Sequence, residues 1–322
     1  MMPIAYCIVA HNRPSQLVRL VHRLFDDDPS CMVVLHYDQR AEPFDLSTLA
    51  HPRLRVVRQR AIYWGGPQVV DVMVEMLRVA LSEGCGYAVL LSGQDYPVGA
   101  VTHLEPVLSQ FDVWAEIRPL FAEDGSCASE EGRGRYSYRW WHLNDPAKWV
   151  RGLDRSVSKL LGEPSFRRPP PLPYLVHMRQ RDQLWWGTRS GGPGVPVHVG
   201  GQWMSLSARA MEAVCSSDGK VRSFFRHVPV ADEACLHTIL ANAGGLTFAP
   251  SNDRFIRWVP GSPSPEILTV QDLDLIASSG CHFARKFDEL VDRTVLDRLD
   301  LLAEHEDATP ISSPGPTSTT TN

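Results

Sequence analysis

The sequence predicts an α/β fold, a mostly parallel twisted sheet flanked by helices, and three observations carry that prediction. Short apolar runs rich in β-formers, at 4–10, 32–36, 54–57 and 87–91, have the pattern of buried strands. Between them, segments 16–25 and 69–81 repeat apolar residues at helical spacing. The strand patterns end abruptly in polar residues, as in His11-Asn12-Arg13-Pro14, Tyr37-Asp38 and Ser92-Gly93-Gln94-Asp95-Tyr96-Pro97. Strands alternating with helices imply βαβ units, and such sheets bind ligands just beyond the C-terminal ends of their strands. His11, Asp38 and Asp95 fall at such ends.

Further along, Gly84 closes the second helix, and 111–120 reads as another strand. The regular alternation then stops. From about 122 to 196 the chain is rich in Arg, Gly, Pro and aromatics, including Tyr136, Tyr138, Trp140, Trp141, Trp185 and Trp186, and reads as a long loop-rich insertion. Clustered aromatics and Arg suit core and solvated surface as well as they suit sugar rings, whose apolar faces are ringed by hydroxyls. Arg135, Tyr136, Tyr138 and Arg139 are the candidates for an acceptor surface there. A glycine-containing strand is expected at 198–207, with Ser207 capping a helix that follows. Strand-like stretches come at 246–249 and 254–258, a short helix at 270–273, and an amphipathic helix ending near Glu304. The tail at 308–322 is nearly all Ser, Thr, Pro and Gly and is expected to be disordered. No fixed repeat or composition break divides the chain, so 1–307 is expected to be one domain.

Net charge of −5 over 322 residues gives no nucleic-acid footprint. Basic residues are instead local, as in Arg285-Lys286, which suits a compact anion better than a polymer backbone. The seven cysteines stand singly, without metal-type spacing, and are expected to be reduced thiols of a cytoplasmic protein. The apolar start runs directly into polar residues and reads as a strand, so neither a signal peptide nor a membrane span is expected.

The stretch around which the rest is organised is Pro229-Val230-Ala231-Asp232-Glu233-Ala234, leading into a helix whose inner face carries Leu236, Ile239 and Leu240. Acidic residues at a helix start ordinarily offset unpaired backbone N–H groups. Capping is therefore the bland reading. Three other segments favour chemistry: Gly93-Gln94-Asp95-Tyr96-Pro97, Gly200-Gly201-Gln202-Trp203 and Ala284-Arg285-Lys286-Phe287-Asp288.

In this order, those motifs resemble glycosyltransferase family 14, the core-2/I-branching β-1,6-N-acetylglucosaminyltransferases and peptide O-xylosyltransferases. The resemblance runs from Ile4-Ala5-Tyr6-Cys7-Ile8-Val9-Ala10-His11 to Phe283-Ala284-Arg285-Lys286-Phe287-Asp288, most of the chain. It implies a GT-A type nucleotide-sugar fold, an inverting reaction and a UDP-sugar donor, with GlcNAc or xylose foremost. It also implies basic side chains in place of a divalent metal at the diphosphate, hence no cofactor and no metal ligands. Carried over by position, Glu233 looks like the general base and Asp232 a residue that orients or caps. Val9, His11 and Asp38 resemble the nucleoside contacts, Tyr63 and Trp64 follow as donor contacts, and Asp95, Gln202 and Trp203 line the sugar end. Arg285 and Lys286 take the phosphates. Where relatives often carry a basic residue, this chain has Glu266, so Arg254 or Arg257 is the candidate replacement. The acidic runs at 26–28 and 272–274 sit at helix ends and read as caps or surface, not as a strand-end metal site. The acceptor is expected to be a small molecule, glycan or natural product. Two other readings stay open: an inactive glycan- or nucleotide-binding protein on the same fold, and a metal-dependent nucleotide-sugar hydrolase or nucleotidyltransferase, which the missing strand-end Asp-x-Asp disfavours.

Overall fold

The computed structural model describes residues 2–121, 132–145, 147–150, 176–180, 183–259, 262 and 264–306. Strand β1 (Ile4–Ala10) is buried along its whole length because it runs through the middle of a sheet. It pairs in parallel with β2 (Met32–Tyr37) on one side and with β4 (Tyr87–Ser92) on the other, and β3 (Leu54–Val56) extends the parallel set beyond β2. Beyond β4 lie β12 (Ser205–Ser207), antiparallel to it, and then β6 (Val113–Trp114), giving the order β3-β2-β1-β4-β12-β6. The α/β expectation therefore holds.

The period-2 pattern divides each central strand between two cores. Ala5, Cys7, Val34 and Leu90 join the core covered by α2 (Gln68–Ser82), α5 (Ala208–Ser216) and α7 (Cys235–Asn242). Tyr6, Ile8, Leu35 and Leu91 join the opposite one, beneath α1 (Pro14–Asp27) and α9 (Thr294–Glu306). A second small sheet, β13 (Arg254–Ile256), β14 (Phe283–Arg285) and β5 (Asp95–Pro97), carries the last motif back to the ends of the parallel strands.

Several boundaries differ from the sequence reading. The expected strand at 111–120 is two short ones, β6 and β7 (Arg118–Pro119), and the expected strand at 198–207 is broken by an open stretch between β11 (His198–Val199) and β12. Segment 246–249 contributes one bridge, from Phe248 to Val113. The helix expected from Glu233 begins at Cys235, after a 3₁₀ turn at Ala231–Glu233. Helices α3 (Leu104–Leu108) and α6 (Gly219–Phe225) are too short to show a period, and the short helix expected at 270–273 is a 3₁₀ turn, Val270–Asp272, leading into α8 (Leu273–Ser278). Within the expected loop-rich insertion stand a helical turn, α4 (Gly132–Tyr136), and an antiparallel sheet of β8 (Tyr138–Asn144), β9 (Val176–Gln180) and β10 (Gln183–Arg189). Its aromatics are its own core, with Tyr138, Trp140 and Trp185 packed together. The rest of the insertion, at 122–131, 146, 151–175 and 181–182, and the tail at 308–322 lie outside the described residues. Among the described residues the cysteines are free, and no helix is long and apolar enough to cross a membrane.

Asp300 fastens α9 to the rest. Its carboxylate accepts from Arg19 at 2.6 Å, Arg23 at 3.0 Å and the Tyr96 hydroxyl at 2.7 Å. Removing an acceptor shared by three partly buried donors leaves them unsatisfied. Asp300→Ala is expected to destabilise the fold by about 2–4 kcal/mol, read as a lower midpoint in urea with an unchanged slope.

Candidate functional site

The turns after β1, β2 and β4 lie side by side and are tied by backbone bonds. The Asp38 N–H donates to the Ala10 carbonyl at 2.9 Å, and the Gly93 N–H to the Val9 carbonyl at 3.2 Å. Gln16, fully buried on α1, sends its amide N–H to the Gly93 carbonyl at 3.1 Å and the Phe287 carbonyl at 3.3 Å, and accepts from the Glu289 N–H at 2.9 Å. Gln94 and Phe287 exchange two further bonds, at 3.2 and 2.9 Å. Arg13 completes the join with a two-pronged bond to Asp288, both prongs at 2.7 Å, which holds the Asp288 carboxyl below its ordinary range. Four sequence motifs thus meet at one edge of the sheet.

On the β2 side, the Asp38 carboxylate accepts from the backbone N–H groups of Arg40 at 2.9 Å and Ile62 at 3.1 Å. It thereby shapes the loop that carries Tyr63 and Trp64. Tyr63 donates to Asp145, with the Arg40 guanidinium 3.9 Å from its ring centre. Trp64 and His11 are exposed, whereas Val9 lies in the core.

Asp95 has no exposed surface. One of its oxygens accepts from the Ser92 N–H at 2.6 Å and from the Ser92 hydroxyl, and the other lies 3.4 Å from Arg285 Nε. The Arg285 guanidinium also lies 5.0 Å from the Trp203 ring centre, in cation–π range. Asp95 thus holds Arg285, and no part of it is open to a ligand. Trp203 is both core residue and platform, and Gln202 beside it is half-buried. Lys286 is half-buried in the same turn as Arg285.

Glu233 reaches this edge from the other half of the molecule. Val230, a β-branched residue, is held at φ 56°, a conformation that costs about 1–3 kcal/mol. It persists because its N–H donates to the Gly65 carbonyl at 2.7 Å and its side chain is buried against Gly65. The chain reverses there and delivers Asp232 and Glu233 in the 3₁₀ turn. Neither carboxylate caps a helix. The Glu233 carbonyl accepts from the Gly200 N–H at 2.9 Å, so the Gly200–Trp203 stretch, at most about 11 Å of chain, links Glu233 to the Trp203 and Arg285 pair. Gly200 is obligatory, because a Cβ there would stand 1.7 Å from the Glu116 carbonyl oxygen. His237, fully buried, donates from Nε2 to the Gly201 carbonyl at 2.9 Å and steadies the same stretch, and burial brings its pKa down to about 4.

The Glu233 side chain is 47% exposed, and Arg135 holds its Oε2 at 2.9 Å. Oε1 has no hydrogen-bond partner among the described residues. Arg135 is positioned by the insertion, whose Trp140 indole donates to the Arg135 carbonyl at 3.0 Å and whose Trp140 N–H donates to the His227 carbonyl at 2.8 Å. The neighbouring Asp232 carboxyl has one covered, unpartnered oxygen, and burial together with the Glu233 charge pushes its pKa up to about 7.

Several candidates belong elsewhere. Tyr136 and Tyr138 are buried against Phe225 and Trp140, and Arg139 lies outside on Trp141 and His227, so of the proposed acceptor surface only Arg135 meets Glu233. Arg254 is buried with its donors on the carbonyls of Leu90, Met204 and Asn252, because it closes the backbone where β4 and β12 meet β13; it is not placed for a phosphate. Arg257 is committed to Glu266 and Asp272. Sequence reasoning missed Gln16, Arg13 and Gly200. The left-handed turn at Arg13 and the amide on an otherwise apolar helix face gave no local signal; the Gly-Gly pair did.

These residues define an α/β protein with a polar cluster at the ends of its parallel strands, to which the Gly200–Trp203 stretch joins the turn that carries Glu233. The sequence profile of the family described as Core-2/I-Branching enzyme matches residues 4–148. A xylosyltransferase of Ciona intestinalis is 23% identical over 341 residues, 95% of this chain and 35% of that protein. Xylosyltransferase 2 of Homo sapiens is 24% identical over 332 residues, 92% of this chain and 33% of that protein. Over residues 4–148 the chain is similar to this core-2/I-branching family, and it spans about a third of the length of the curated relatives it matches. Among solved structures, a protein described as a glucose-1-phosphate thymidylyltransferase from Bacillus anthracis aligns at 7% identity with a TM-score of 0.34, covering 76% of this chain and 86% of that one. HddC from Yersinia pseudotuberculosis aligns at 10% identity and 0.28, covering 66% and 79%. Both likenesses are distant.

Asp232 gives the site a pH signature. Its folded pKa is raised above the ordinary carboxyl value, so the folded state holds the proton more tightly than the unfolded state does. Stability from this group is present at low pH and falls as pH rises from about 4 through about 7. Asp232→Asn, which cannot ionise, is expected to gain on the wild type between pH 5 and pH 8 by at least about 1 kcal/mol, roughly 2–4 °C in Tm. A difference that stays flat across that range in thermal melts would remove the Asp232 carboxyl from the account.

Proposed function

We propose that this chain is a glycosyltransferase that moves a sugar from a UDP-sugar to an acceptor hydroxyl with inversion, Glu233 acting as general base and no divalent metal taking part. The observation that carries this reading is the half-exposed Glu233 carboxylate, held by Arg135, in a turn that the Gly200–Trp203 stretch connects to the Arg285 side chain. With Oε2 engaged by Arg135, Oε1 remains to take the proton of an entering hydroxyl as that oxygen attacks the anomeric carbon. The bond from that carbon to the diphosphate oxygen breaks with its electron pair, leaving UDP. One base suffices for a single displacement from the opposite face.

The departing diphosphate gathers negative charge, and fixed cations at its oxygens lower the barrier. Arg285 faces the buried Asp95, and Lys286 follows it in the same half-buried turn, so the turn offers two adjacent cations. The acidic runs weighed as metal sites are otherwise engaged. Asp27 pairs with Arg23 on α1, and Asp272 accepts from the Thr269 N–H at 2.8 Å and pairs with Arg257. The names of the xylosyltransferase relatives favour xylose among the donors, and the resemblance drawn from the motifs keeps GlcNAc as the alternative. Unpaired cysteines among the described residues suit a reducing, cytoplasmic setting.

The test is incubation with UDP-xylose, UDP-GlcNAc, UDP-glucose and UDP-galactose in EDTA, following UDP release with and without acceptors. Release that survives chelation supports the reading, and release restored only by manganese points to a metal-dependent transferase or hydrolase. UDP binding without release in any mixture makes the protein a nucleotide-sugar binder. Glu233→Gln is expected to cut turnover about 10²–10⁴-fold with UDP affinity nearly unchanged; joint loss of both would refute the base assignment. Lys286→Ala should weaken UDP, by calorimetric titration, while sparing uridine. Equal losses would take Lys286 away from the phosphates.

A further inference from the structure

A second polar cleft, of about 380 Å³, lies on the outer side of α2, between it and α6. Four arginines line it, Arg60, Arg78, Arg222 and Arg226, with two carboxylates, Asp71 and Glu75. Four positive against two negative side chains leave a surplus of two charges around one cavity. The carboxylates are already taken, Glu75 by Arg60 at 2.6 Å and Asp71 by Arg226 at 3.1 Å. The other two arginines account for the surplus. Arg78 is exposed and has no hydrogen bond or ion pair among the described residues, and Arg222 donates only to the Ser217 carbonyl, at 3.3 Å. The Nε groups of Arg60 and Arg222 are covered and have no acceptor.

Like charges gathered around a cavity repel one another unless a counter-charge enters. Planar guanidinium forks match the oxygens of a phosphate, and several converging forks favour an anion with many oxygens over a single carboxylate. We infer that this cleft is a binding site for a phosphate-bearing anion, separate from the strand-end site. The opposite face of α2 packs against the sheet through Val70, Met73 and Leu77, so the helix stands between the cleft and the core. Arg60 also ties the cleft to the nucleoside side: its N–H donates to His36 Nε2 at 3.1 Å and its carbonyl accepts from the Gln39 N–H at 3.2 Å. An occupant would brace the loop that orders Asp38.

The phosphate has two sources, a soluble mono- or diphosphate and the headgroup of an anionic lipid. The probe is inorganic pyrophosphate, titrated calorimetrically at low ionic strength into the full chain and into Arg78→Gln/Arg222→Gln. The double variant is expected to lose about tenfold or more in affinity for one site, with UDP titration unchanged. Should the double variant fail to fold, Arg78→Gln alone, a change at an exposed side chain without contacts, is expected to weaken that site about 3–10-fold. Pyrophosphate binding identical in wild type and the folded variant, or absent from the wild type, would overturn the assignment. Co-sedimentation with vesicles containing phosphatidic acid, set against pure phosphatidylcholine, then separates the sources. Retention lost in the variant assigns the site to a lipid headgroup; no retention alongside intact pyrophosphate binding assigns it to a soluble phosphate.

Discussion

Gln16 is the interaction on which the site depends. The ends of parallel strands expose carbonyl and N–H groups that no neighbouring strand can satisfy, and here three such ends, from β1, β4 and β14, are pressed together with little access to water. An uncharged amide with two donors and an acceptor, fixed on a helix already packed against the sheet, satisfies the Gly93 and Phe287 carbonyls and the Glu289 N–H at once. A charged residue in that place would need a buried counter-ion, and an apolar one would leave the groups orphaned. Because Gln16 is rigid, segments nearly two hundred residues apart in sequence keep one register, and the Arg13–Asp288 pair locks the outer side of the same joint.

Much of the fold could be read from the sequence because its signals are local. The run from Ile4 to Ala10 has the apolar continuity that only a strand covered on both faces requires, and the repeat at 69–81 is one buried helical stripe. The misread elements are those whose structure depends on distant partners. The stretch at 198–207 has strand-like composition, yet Gly200 must approach the Glu116 carbonyl and bond to Glu233, and that contact breaks the strand in two. Composition likewise suggested a loop for the insertion, since its alternation is hidden by large aromatics that face each other across β8 and β10.

The site was legible to a different degree. Motifs flag residue types but not what each side chain already touches. Asp95 and Arg254 have the chemistry of ligand contacts and are consumed in holding the backbone beneath the site, whereas Arg135, one arginine among several in an irregular stretch, is the one that meets Glu233. Charge at a strand end does not distinguish a residue that serves a ligand from one that serves the turn. Only the partners do.

The arrangement separates two tasks. The cationic turn is fixed by the parallel half, through β14, Gln16 and the buried Asp95. The carboxylate is fixed by the other half, through the strained Val230, the Gly200 contact and an arginine supplied by the insertion. The insertion can therefore vary in shape without disturbing the turn that carries Arg285 and Lys286. Left-handed backbone at a β-branched residue is costly, and a simple helix start would have placed the same two carboxylates at less expense in free energy, but pointing along the helix axis into its own first turn. The left-handed residue at Val230 leads instead into a 3₁₀ turn in which neither carboxylate caps a helix, and Glu233 meets Arg135.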